Sequence, residues 1–153
     1  MSLTRRNLLI AGAALLPAAA LLANTAPDAA AQVYAEGGIA VDGSDVVAYF
    51  TQGEPVAGDA LITHDWNGAT WQFSSTDNRD AFAANPVRYA PQYGGFCAYA
   101  VSEGYTASTT PEAWKIVDGK LYLNYSRRIQ RRWERDIPGR IRAADANWPG
   151  VLD

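Results

Sequence analysis

The chain has 153 residues, with 13 lysines and arginines against 16 aspartates and glutamates, and a formal net charge of −3 at pH 7. A mildly acidic balance of this kind argues against nucleic acid as a partner. One cysteine and one histidine exclude an internal disulfide and a four-ligand Cys/His zinc site within one chain.

Residues 1–31 carry the pattern of an export signal. Arg5 and Arg6 precede an apolar run from Leu8 to Ala23, broken at Pro17, and Ala29, Ala30 and Ala31 supply small residues for cleavage. The run is shorter and richer in alanine than the roughly 20 apolar residues of a membrane span, so no permanent span is expected after removal. Thr4-Arg5-Arg6-Asn7-Leu8-Leu9 resembles the twin-arginine export motif, with Leu8 where Phe is commonest. The mature protein is therefore expected in the periplasm or outside a bacterial cell. What remains is the length of one domain, with 32–41 a loosely held lead-in and 42–153 the folded unit.

Two hairpins follow from turn dipeptides that favour positive φ. In the first, Leu61 to Trp66 and Ala69 to Phe73 flank Asn67-Gly68. A two-residue turn sets Trp66 opposite Ala69, His64 opposite Trp71 and Ile62 opposite Phe73, so the only histidine points with the apolar set. In the second, Trp114 to Val117 and Lys120 to Leu123 flank Asp118-Gly119, with Trp114, Ile116, Leu121 and Leu123 on one face. Between them, Ser75 or Thr76 caps a helix that ends at Asn85-Pro86 and turns Phe82 inward, and Arg88 to Gln92 adds a further turn.

From Arg127 the apolar positions Ile129, Trp133, Ile137, Ile141, Ala144 and Trp148 recur every three or four residues. This predicts helices over 127–136 and 138–147, joined by a kink at Pro138-Gly139. The fold class is α+β: a small antiparallel sheet built from two β-hairpins, a short helix between them, and a kinked C-terminal helix pair packed against it. Trp71, Phe73, Trp114 and Trp133 are the expected core, and Tyr49, Tyr89, Tyr93 and Tyr122 the expected rim of a pocket near Cys97. Charge is uneven: 32–124 holds eleven acidic and four basic residues, and 125–153 four acidic and seven basic. The arginine-rich helices present either a solvated face or a surface for an acidic protein partner.

Cys97 stands in Tyr93-Gly94-Gly95-Phe96-Cys97-Ala98. Four roles are open to it: a buried small hydrophobe, a soft metal ligand, a reactive thiol, or half of an intermolecular disulfide. The ligand count leaves room for two-coordinate copper(I) on Cys97 and His64, a mixed site with Asp45 or Asp65, or a site shared across a dimer. A Cys–His nucleophile pair is the catalytic alternative, but Gly-x-Ser-x-Gly, His-Glu-x-x-His and phosphate-loop motifs are absent from the sequence.

Several blocks together resemble the YHS-domain family. They are Gly43-Ser44-Asp45-Val46-Val47-Ala48-Tyr49-Phe50, Gly68 to Ser75, Asn85 to Ala98 and Asp118 to Asn124. Ser44 and Val46 stand where such proteins often have Tyr and Pro, and the tripeptide that names the family is absent. The resemblance implies a small non-catalytic binding module with a site around Tyr93, Gly94, Gly95 and Cys97. It also implies a soft metal such as copper at Cys97, to which the ligand count adds His64 as the second candidate ligand. A thiol-dependent enzyme or redox accessory protein using Cys97, and a structural or interaction domain without a ligand, are the alternatives.

Overall fold

The computed structural model describes residues 32–153; the export signal expected over 1–31 lies outside the described residues. Gly37 and Gly38, with φ of 57° and 82°, turn β1 (Ala35–Glu36) onto β2 (Ile39–Ala40). Val33, Tyr34, Ala40 and Val41 are buried around this turn, so the segment read as a loose lead-in is built into the core. Two-residue strands are too short to show a hydrophobic period, and the sequence pattern gives no sign of them.

Asp45 then starts α1 (Val46–Thr51). It is 0% exposed, and donors surround its carboxylate. Oδ1 accepts from the N–H groups of Val47 and Ala48 at 3.0 and 3.3 Å. Oδ2 accepts from the N–H and hydroxyl of Ser74 at 2.9 and 2.6 Å, and from Asn78 Nδ2 at 2.8 Å. Charge-assisted bonds of this kind are what allow a carboxylate to be buried.

The turn at Asn67-Gly68, with φ of 51° and 79°, has the positive pair that a two-residue hairpin favours. It joins β3 (Asp59–Trp66) to β4 (Ala69–Phe73) and pairs Trp66 with Ala69 and His64 with Trp71, as the sequence register predicts. Farther from the turn the register shifts, and Phe73 pairs with Asp59 rather than Ile62. An irregularity between Asp59 and Thr63 inserts residues on the β3 side. β2 lies parallel to β4 on its other edge, giving a mixed sheet in the order β1-β2-β4-β3.

Ser75 caps α2 (Thr76–Ala84) through its hydroxyl, which accepts from the Asn78 N–H at 3.1 Å. α2 carries Phe82 onto the sheet, where its ring centroid lies 5.0 Å from Trp71 and 5.1 Å from Phe73. Tilted aromatic pairs of this kind add about 1 kcal/mol each beyond area burial. α3 (Pro86–Tyr89) and α4 (Ala98–Ser102) follow. The second hairpin, β5 (Trp114–Val117) and β6 (Lys120–Leu123), forms a separate two-stranded sheet, so the two hairpins do not share one sheet. Its register pairs Trp114 with Leu123 and Ile116 with Leu121, as expected.

β6 is buried on both faces. Leu121 and Leu123 join the core of the first sheet, while Tyr122 joins a second core with Tyr93, Ala98, Val101, Trp133 and Ala144, a consequence of strand alternation. The C-terminal helices are α5 (Arg127–Trp133) and α6 (Ile137–Asn147). They are separated at 134–136, where Asp136 Oδ1 accepts from the Gly139 N–H at 3.1 Å. Pro138 sits in the first turn of α6, where its missing N–H has no intrahelical partner to lose. The α+β class expected from the sequence holds, and among the described residues no helix is long and apolar enough to cross a membrane.

Replacing Asp45 strands five donors at once. Asp45→Ala is expected to lower the unfolding free energy by about 3 kcal/mol or more, read from the urea midpoint of the circular dichroism signal. A loss below about 1 kcal/mol would show that those donors find other acceptors.

Candidate functional site

Tyr93, Gly94 and Gly95 all have positive φ, at 59°, 63° and 85°, and this turn aims the chain from α3 toward α4. Its glycines face protein. A Cβ on Gly94 would overlap the Gln32 carbonyl, and one on Gly95 would overlap Val41 Cγ1. The Gly94 carbonyl accepts from the Tyr34 N–H at 2.9 Å, and that of Gly95 from the Thr109 hydroxyl at 2.8 Å. The glycine pair therefore lets the N-terminal segment cross closely over the loop. Tyr93 is buried, its hydroxyl donating to Asp145 Oδ1 at 2.9 Å and its ring lying 6.0 Å from both Tyr122 and Trp148. Tyr93 and Gly94 border a cleft of about 250 Å³ with Trp66, Trp71 and Trp148, and Cys97 is not among its lining residues.

Cys97 occupies the residue before α4 and is 1% exposed. Its thiol sits between two groups from the end of β6. It accepts from the Tyr125 N–H at 3.3 Å and donates toward Asn124 Oδ1 at 3.6 Å. Asn124 is itself fully buried, and its Oδ1 also accepts from the Tyr99 N–H at 3.1 Å. That N–H belongs to the first turn of α4, whose preceding residue provides no side-chain cap, so Asn124 caps the helix from across the fold. Burial pushes the Cys97 thiol pKa up, outweighing the N–H groups of Ala100, Tyr125 and Tyr99 that pull it down. The side chain is thus held as a neutral thiol rather than an activated thiolate.

Above Cys97 opens an apolar cleft of about 230 Å³. Ala100, Ala107 and Ile129 line it, and Tyr99, Tyr105 and Tyr125 complete the wall. Tyr105 and Tyr125 are 53% and 57% exposed. The tyrosines near Cys97 are therefore not those the sequence reading selects. Tyr49 is buried with its hydroxyl donating to the Pro111 carbonyl at 2.8 Å, Tyr89 packs edge-on against Phe50, and Tyr122 lies inside the second core. Asn124, Tyr105 and Ile129 were missed because the contacts that matter are long-range; the one local hint is a polar Asn closing the apolar stretch Leu121-Tyr122-Leu123.

His64 lies on β3, paired across the sheet with Trp71 and with its ring 6.0 Å from Phe82. None of the hydrogen bonds or ring contacts around His64 or Cys97 brings the two together. Asp45 is committed to its five donors, and Asp65 Oδ1 accepts from the Thr70 hydroxyl at 2.7 Å. Among the described residues, no group of three or more His, Cys, Asp or Glu side chains converges. Burial raises the Cys97 pKa, the thiol is already engaged by Asn124 and Tyr125, and none of these contacts brings a second soft ligand to it, so the described residues assemble no site of three or more such ligands. Beside the cleft, α5, α6 and the turn between them frame a groove of about 560 Å³ lined by Arg132, Arg135 and Arg140, together with Asp136 and Tyr99.

No family model, no curated protein and no solved structure matches this chain.

The raised thiol pKa fixes the sign of a stability change. Above the ordinary thiol value of about 8.5, the folded state keeps a proton that the unfolded state loses, so stability falls as pH rises. Tyr93 and Tyr49, both raised first by burial, act with the same sign from about pH 10 upward. In urea titrations across the alkaline range, Cys97→Ala is expected to delay the onset of this fall to the tyrosine range. An unchanged onset would show that the Cys97 proton is not linked to folding.

Proposed function

We propose that the protein is an exported, non-catalytic binding module of YHS type, with its site in the apolar cleft over Cys97. The observation that carries this reading is the cleft itself: a neutral, doubly hydrogen-bonded thiol on its floor, apolar walls, and two tyrosines left exposed beside it. An apolar pocket with a few fixed polar groups is the usual form of a small-ligand site. The raised pKa and near-complete burial of Cys97 favour binding over thiol catalysis, and the scattered donors favour an apolar ligand group over copper. Cys97 and Asn124, which lie in two of the blocks that resemble the YHS family, supply a wall residue of the cleft and the support beneath it, which favours the same family reading.

Octanol is a suitable neutral probe. Titrated into the full chain, it is expected to give saturable amide shifts at Cys97, Ala100, Ala107, Tyr125 and Ile129, and Ala107→Leu is expected to remove them by filling the space. Octanol that shifts no cleft amide overturns the reading. Stoichiometric copper(I) uptake that disappears in Cys97→Ala would overturn it in favour of a soft-metal site.

Export rests on Arg5 and Arg6. Replacing both with lysine is expected to leave the chain in the cytoplasm on cell fractionation. Unimpaired export would remove the twin-arginine assignment.

A further inference from the structure

The apolar cleft and the arginine groove share a wall. Tyr99 borders both. On α5, Ile129 lines the cleft and Arg132 lines the groove, and residues three apart lie on one helix face. The guanidinium of Arg140 lies 4.3 Å from the Tyr99 ring centroid, a cation–π distance. One aromatic side chain thus separates an apolar chamber from a cluster of positive charge.

The charges are not evenly committed. Arg140 is paired with Glu103 and donates to the Ser102 hydroxyl at 3.1 Å. Arg132 and Arg135 are exposed and have no ion-pair partner among the described residues. Asp136, the acidic residue in the groove, already accepts from the Gly139 N–H. The groove therefore keeps two free guanidiniums and a net positive charge, on a domain whose residues 32–124 carry eleven acidic groups against four basic ones. An anion is the complement of that arrangement. Taken together, the two hollows of about 230 and 560 Å³ reach small-molecule size.

We propose that they form one bipartite site for a small anionic amphiphile. Its acyl or aryl portion lies over Cys97 between Tyr105 and Tyr125, and its head group lies between Arg132 and Arg135, with Tyr99 at the junction. This rests on the reading of the cleft as a binding site and adds the chemical class of its ligand.

Octanoate, octanol and acetate separate the parts. Below its micelle concentration, octanoate is expected to bind the full chain about tenfold or more tightly than octanol, with amide shifts at Cys97, Tyr99 and Tyr125 together with Arg132 and Arg135. Arg132→Gln combined with Arg135→Gln changes two exposed side chains and is expected to erase that advantage while leaving octanol binding unchanged. If octanol occupies the cleft but octanoate binds no tighter, the joint site is overturned and the apolar cleft stands. If octanol also fails, the underlying reading falls with it. Acetate binding as tightly as octanoate, or binding seen only on anionic phosphatidylglycerol vesicles, likewise overturns the proposal.

Discussion

The carboxylate of Asp45 draws its five donors from three separate stretches of chain: the first turn of α1, Ser74 at the end of β4, and Asn78 in α2. An ionised group removed from water is tolerated only when such donors replace its hydration. The constraint runs both ways, because the donors are equally dependent on the acceptor. It fixes where α1 begins, where the hairpin strand ends and how α2 lies over the sheet, and so it sets the frame in which Phe82 meets Trp71 and Phe73.

A second reciprocal arrangement governs the other half of the molecule. Cys97 and Asn124 hold the start of α4 against the end of β6, with the Asn124 amide oxygen capping the helix and the thiol receiving the next backbone N–H. β6 reaches into both cores, with Leu121 and Leu123 on one side and Tyr122 on the other. The apolar cleft thus draws Tyr99, Ala100 and Ile129 from helices and Tyr105, Ala107 and Tyr125 from the loops beside them. Its floor is set by the α4–β6 junction, and its neighbouring charge is supplied by α5, α6 and the turn between them.

The parts of this architecture that local chemistry dictates can be read from the sequence. Asn67-Gly68 and Asp118-Gly119 demand hairpin turns, Ser75 and the Asn85-Pro86 pair bracket α2, and the spacing from Ile129 to Trp148 announces a helical stripe. The bulge that moves Phe73 opposite Asp59 is not encoded in the turn, so register counted from the turn alone goes astray beyond Thr63. Asp45 reads in the sequence as a spare carboxylate, because three of its donors come from Ser74 and Asn78, far along the chain. Asn124 is hidden for the same reason, since the helix it caps lies 25 residues away. Proximity in sequence favours Tyr93 as a neighbour of Cys97, yet the positive-φ turn at Tyr93, Gly94 and Gly95 leaves its ring packed with Tyr122 and Trp148 instead.

The near-complete burial of Cys97 bears on the proposal of export. A lone thiol entering an oxidising compartment on an unfolded chain is open to mixed disulfides and to pairing between chains. Once folding has drawn Cys97 to 1% exposure and placed it against Asn124 and Tyr125, an oxidant meets little thiol surface, and burial disfavours the reactive thiolate. A chain that crosses the membrane already folded, as Arg5 and Arg6 lead us to propose, would never present that thiol on the oxidising side. On that proposal a single unpaired cysteine would be no hazard to the protein, and its protection would come from the timing of folding relative to transport rather than from a partner cysteine.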